Sequence, residues 1–105
     1  EKTKFLVLWG SNPYNTDKKR AAEIVNAKKR GMKVIVIDPC YTKHASNADY
    51  WMPILPGKDM ALAMGMIRLV IENDWYDKDY IQACTYGFDA LKEYVKEYSL
   101  EKTAK

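Results

Sequence analysis

Three short segments of this 105-residue chain carry residue types suited to gripping a nucleotide. They are Gly10-Ser11-Asn12-Pro13-Tyr14-Asn15-Thr16, Asp38-Pro39-Cys40-Tyr41-Thr42 and Pro56-Gly57-Lys58-Asp59. Each follows an apolar run that reads as a strand, and in a parallel α/β sheet ligands bind beyond the carboxyl ends of the strands. The first segment leads towards a helix N-terminus, where free N–H groups and the helix dipole attract anions. Lys18, Lys19 and Arg20 crowd that first turn. Cations there are unfavourable by about 0.3–1 kcal/mol each, and a bound diphosphate would reverse the sign. A solvated face, with Asp17 as partial compensation, is the plainer reading. Asp38 is placed either to reach ribose hydroxyls or to form a turn before Pro39. Asp59 is either an N-cap or a ligand group. As a ligand its two oxygens match the adjacent N1–H and N2–H donors of guanine, a pair that adenine lacks.

Other chemistries find little support. Gly10 is the one glycine of the first loop, whereas the dinucleotide fingerprint needs three, and no Walker sequence occurs. His44, the single histidine, sits in a polar stretch and is expected at the surface. Cys40 and Cys84 form no CxxC pair, too few ligands for zinc or an iron–sulfur cluster. No nucleophile–base–orienter set can be assembled. The methionines at 60, 64 and 66 read as core filler. A net charge of +3, with acids and bases interspersed, gives no nucleic-acid stripe. The longest apolar run, Met60 to Ile67, is broken by Arg68, far short of the roughly 20 residues of a membrane span.

The elements that must position these loops follow from periodicity. Phe5-Leu6-Val7-Leu8-Trp9 reads as a strand buried on both faces, ended by Gly10. A helix over about Asp17 to Arg30 follows, capped by Asn15 or Thr16, with Ala21, Ile24, Val25 and Lys28 on one stripe and Gly31 as its left-handed C-cap. Met32 to Ile37 is a second strand, parallel to the first. A third lies within Tyr50 to Leu55, where both alternating faces are apolar, which implies burial on both sides or contact with something absent. The helix from about Asp59 to Asn73 is apolar all round near its start, which predicts an enclosed helix, covered by missing parts of a larger protein because so small a chain can hardly enclose it. Asp77 caps a short helix to Cys84, and Gly87 opens another with Phe88, Leu91, Tyr94, Val95 and Tyr98 on one side. Residues 99–105 are polar and are expected to fray. The fold class is therefore α/β: a three-layer, Rossmann-like nucleotide-binding fold with a short parallel sheet of about three strands flanked by helices.

Taken in order, Trp9-Gly10-Ser11-Asn12-Pro13, Ile37-Asp38-Pro39, Ala48-Asp49, Pro56-Gly57-Lys58-Asp59-Met60-Ala61-Leu62 and Thr85-Tyr86-Gly87-Phe88-Asp89 resemble the molybdopterin oxidoreductases of the dimethyl sulfoxide reductase family. The resemblance runs from Lys4 to about Val95. It implies one of the two domains that each hold a guanosine end of molybdopterin guanine dinucleotide, the cofactor of molybdenum or tungsten. On that footing Trp9, Gly10, Ser11, Asn12, Pro13 and Thr16 hold the diphosphate. Asp38, Pro39, Cys40 and Thr42 line the guanosine, while Gly57, Lys58 and Asp59 close on it, Asp59 at the base and Asp38 at the ribose. Many family members carry Arg in place of Cys40 and Thr in place of Lys58, so Lys58 is left to supply the charge.

Residues 1–105 then read as a single domain excised from a larger oxidoreductase, inactive by itself because nothing matches the metal-ligand region. Its implied partners are the remaining domains of the parent and an electron-transfer subunit, with no nucleic acid and no direct membrane insertion. The competing reading is a free-standing nucleotide-binding or protein-interaction α/β module without a redox role.

Overall fold

The computed structural model describes residues 2–103, the side chains at 100 and 102 excepted. The chain gathers into two compact units, Glu1–Pro56 and Gly57–Lys105. The first contains β1 (Phe5–Trp9), α1 (Pro13–Thr16), α2 (Lys18–Lys29), β2 (Lys33–Ile37), α3 (Lys43–Ser46) and β3 (Tyr50–Met52). The second contains α4 (Asp59–Glu72), α5 (Lys78–Cys84), α6 (Phe88–Tyr94), a 3-10 turn (Val95–Glu97) and α7 (Leu100–Thr103). The protein is α/β, with a three-stranded parallel sheet flanked by helices.

The strands lie in the order β1-β2-β3. β1 pairs with β2 from Phe5↔Lys33 to Trp9↔Ile37, and β2 pairs with β3 from Ile35↔Tyr50 to Ile37↔Met52. Leu8, Val34 and Val36 share one face of the sheet and pack with Ile24 of α2, Ala45 of α3 and Met32. Full burial of such a side chain stabilises by about 1.5–3 kcal/mol, so this cluster fixes the register.

The expectation of burial on both faces of β1 is not met. Phe5 is 54% exposed and Val7 39%, because the α2 and α3 side chains of the core line the face occupied by Leu8. In β3 Tyr50 is also exposed, at 59%.

Local chemistry sets the ends of α2. Asp17, rather than Asn15 or Thr16, is its N-cap, and its carboxylate accepts from Arg20 N at 3.0 Å. At the other end Gly31 adopts φ +97, and the N–H groups of Gly31 and Met32 return to Lys28 O and Ala27 O. That closes the helix in the double-bonded manner that favours glycine.

Asp49 anchors the amino end of the sheet. Its backbone N–H donates to Val34 O at 2.8 Å, and its carboxylate accepts from Val34 N and from the Lys28 and Lys33 ammonium groups at 2.9–3.1 Å. These donors, Lys28 foremost, hold the Asp49 carboxyl well below the usual carboxylate range. Lys28 also donates to Asn47 O, so one ammonium joins α2 to the turn before β3.

In the second unit α4 begins at Asp59 as its sequence predicts, yet it is not enclosed. Met60 is 53% and Met66 43% exposed, while Gly65 and Ile71 are buried. Arg68 bonds Glu72 one turn on and donates to Lys96 O at 3.0 Å, which ties α4 to the 3-10 turn around buried Val95. Gly65 lets α7 approach: a Cβ there would lie 2.6 Å from Thr103 Cγ2. The stretch expected to fray is thus helical at Leu100–Thr103, and the two final residues lie outside the described range. Asp77 caps α5 by accepting from Tyr80 N at 2.8 Å, and Gly87 opens α6 at φ +81.

Candidate functional site

Parallel pairing brings the first two loops out side by side. Trp9 is level with Ile37, and Gly10 N donates to Ile37 O at 2.9 Å, one residue beyond the strand. Gly10 then turns at φ +55, in the left-handed region, with nothing within 4 Å of the position a Cβ would take. A ligand can therefore approach this backbone closely, and a side chain there would be strained.

The chain does not pass straight into α2. Pro13 starts the single turn α1, in which Asn12 O accepts from Asn15 N, Thr16 N and Thr16 Oγ1 at 3.0–3.2 Å. The first loop is thereby held by its own backbone. Thr16 spends its hydroxyl on Asn12 O, so the structure gives it a turn-closing role. Asn12 Oδ1 is buried and has no hydrogen-bond partner among the described residues. An acceptor left in that state costs about 1–3 kcal/mol and calls for a specific explanation. Lys18, Lys19 and Arg20 are all exposed, and Asp17 supplies the negative charge at the α2 N-terminus, in line with the solvated-face reading.

The second loop leaves β2 at Asp38, whose N–H donates to Met52 O at 3.2 Å. One Asp38 carboxylate oxygen accepts from Cys40 N at 2.8 Å, closing a turn through Pro39. That is the turn-forming role anticipated for it, and it engages Oδ1. Thr42 caps α3, its hydroxyl accepting from Ala45 N at 3.2 Å. Pro39 and Cys40 are exposed, and Trp9 and Ser11 are half-buried. Gly57, at φ +82, Lys58 and Asp59 open the second unit. Lys58, with no side-chain cap bond, occupies the N-cap position of α4 that was one reading of Asp59, and Asp59 falls in the first helical turn.

Three aromatic residues outside the anticipated set organise the loops. Trp51 Nε1 donates to Asp38 O at 2.9 Å, and Tyr41 stands edge-on to the same indole at 4.8 Å. The indole thus ties β3 to the second loop. Tyr14, on α1, packs against His44, on α3, at 4.2 Å between ring centres. His44 is only 4% exposed, which corrects its expected surface position. Burial pushes its imidazole below the ordinary histidine value. Alternation along β3 marked Trp51 as apolar without showing its N–H partner. No spacing rule links residue 14 to residue 44, because their meeting depends on two loops leaving paired strands.

Among the described residues, no group of three or more histidines, cysteines and carboxylates is placed to hold a metal ion. No helix there is long and apolar enough to cross a membrane.

Comparison with known proteins agrees with this geometry. The family model for molybdopterin oxidoreductases matches residues 1–102. The acetylene hydratase of Syntrophotalea acetylenica is 49% identical over 78 residues, 74% of this chain and 11% of that protein. The F420-dependent formate dehydrogenase subunit alpha of Methanocaldococcus jannaschii is 39% identical over 100 residues, 95% of this chain and 15% of that protein. The solved acetylene hydratase of Pelobacter acetylenicus superposes with a TM-score of 0.86 at 39% identity, over 97% of this chain and 14% of that one. The chain thus spans between a tenth and a sixth of the length of these relatives. With strands, loops and sequence in agreement over nearly its whole length, the chain belongs to the molybdopterin oxidoreductase family.

Proposed function

We propose that this chain binds the guanosine diphosphate end of a molybdopterin guanine dinucleotide, as one cofactor-holding part of a molybdenum or tungsten oxidoreductase. The carrying observation is the pair of loops that leave adjacent parallel strands at Gly10 and Asp38. Family membership adds the class of cofactor.

The residues present fit such a group. Phosphate oxygens accept from backbone N–H groups, and the open backbone at Gly10 admits them. Asn12 adds the N–H donors of its side-chain amide. The Asp38 carboxylate accepts from ribose hydroxyls with the capacity that Cys40 N leaves. For Lys58 and Asp59, which open the second unit, the roles rest on the family resemblance alone: Asp59 as acceptor for guanine N1–H and N2–H, Lys58 as the positive charge that Cys40 does not supply. When bound, the metal and its pterin supply the redox chemistry; this chain contributes binding and orientation. The remaining domains of the parent enclose the rest of the cofactor, and an electron-transfer subunit serves the metal.

Titration calorimetry of the chain with GDP, IDP and ADP tests this reading. Affinity is expected to fall in that order. IDP lacks the N2 amino donor, which is worth about 1 kcal/mol, or roughly fivefold. Asp59→Ala should erase the difference between GDP and IDP. Equal binding of ADP and GDP, no GDP binding, or an undiminished base preference in the variant would overturn the assignment.

A further inference from the structure

We propose that His44 is a positioning residue for the nucleotide-binding loop: its neutral ring, packed on Tyr14, holds α1 and the Asn12 loop in place, and a proton on that ring releases them. The inference rests on the nucleotide site proposed above. It begins from two buried polar atoms with no partner among the described residues, Asn12 Oδ1 and His44 Nε2. They flank one ring contact, since Tyr14 lies two residues after Asn12 and packs on His44 at 4.2 Å. The backbone under His44 is fixed, because Thr42 caps α3 and the neighbouring Ala45 sits in the core.

The chemistry of the ring supplies the switch. In the neutral form an unpartnered Nε2 need hold only a lone pair. The imidazolium carries N–H donors on both nitrogens, and a buried donor with no acceptor is disfavoured. Among the described residues no charge offsets that. Tyr14 faces the ring from α1, and Lys43 of α3 sets its ammonium 4.8 Å from the same tyrosine ring. The strands on which α3 packs carry Lys33 and Tyr50, of which Lys33 is engaged by Asp49. None of these is a carboxylate, and burial is the one cause of the lowered imidazole pKa. A histidine whose pKa is depressed on folding stabilises the packed state fully above about pH 6.5, and that contribution falls away below it. Acidification therefore detaches the ring, and Tyr14 with it.

His44 is the sole histidine of the chain, so its imidazole nitrogens form an unambiguous NMR probe. In the nucleotide-free chain the Tyr14 ring signals are expected to move in step with His44 protonation, at a pH below that of a free histidine. GDP affinity is then measured between pH 7.5 and about pH 5.5, across the histidine range. The wild type should lose affinity by up to about tenfold per pH unit more than His44→Phe, which keeps a ring and removes the proton. His44→Gln should give the same flattened profile if the phenylalanine variant folds poorly. GDP's own phosphate titrates in this window, so chains are compared at each pH. A wild-type profile that the variants reproduce, or tyrosine signals indifferent to His44 protonation, would refute the switch. A chain that binds no GDP at any pH refutes the nucleotide site, while the nucleotide-free titration still decides the role of His44.

Discussion

Replacing Trp51 by Phe isolates the one side-chain bond described between β3 and the second loop, beside the backbone bond from Asp38 N to Met52 O. The indole N–H donates to Asp38 O at 2.9 Å, and Phe keeps an aromatic ring against Tyr41 without that donor. A lost hydrogen bond of this kind costs about 0.5–1.5 kcal/mol, and the half-buried carbonyl it leaves raises the total to about 1–2 kcal/mol. For a domain of this size, each 1 kcal/mol lowers the melting temperature by about 4–8 °C. The same carbonyl belongs to the residue proposed for the ribose. Loosening it should therefore weaken GDP binding, with a ceiling of about five- to thirtyfold set by the same energy. Urea denaturation followed by circular dichroism gives the stability term, and calorimetry gives the affinity. An unchanged midpoint would mean the bond is immaterial to the fold. An unchanged affinity alongside a lowered midpoint would mean the Asp38 loop is not part of the nucleotide site.

Two further substitutions test the scaffold. Asp49→Asn removes the carboxylate held by Lys28, Lys33 and Val34 N. Because folding depresses the Asp49 pKa, its contribution is present above about pH 4 and is lost as the pH falls below that value. The acid limb of the wild-type stability curve should thus be shallower in the variant, and identical acid limbs would remove Asp49 from the account. Gly65→Ala sets a gain of about 1 kcal/mol in helix propensity against an overpacking cost of about 1–3 kcal/mol. The new Cβ would lie 2.6 Å from Thr103 Cγ2, so net destabilisation is expected, with rescue by adding Thr103→Gly. A more stable single variant would show that α7 yields freely.

The strands and most helices were legible because their signals are local. The run Phe5–Trp9 ending at Gly10, the stripe through Ala21 and Ile24, Gly31 after α2 and Asp77 before α5 are each specified by neighbours within a turn or two. The loops were legible in composition as well. Reading α1 as part of a loop failed because one turn closed by Pro13 and the Asn12 carbonyl leaves no periodicity to detect.

The exposed residues of β1 and α4 have a different origin. Apolarity records what a segment can bury, whereas exposure depends on which other elements reach it. Position along the chain fixed that Asp38 ends a strand, but strand pairing decided that Gly10 emerges beside it. His44 shows the same division: its sequence surroundings are polar, yet in the fold it is buried with its ring packed on Tyr14 of α1. Short-range stereochemistry and hydrophobic period are written residue by residue, while contacts between residues far apart in the chain exist only once the sheet has set the register.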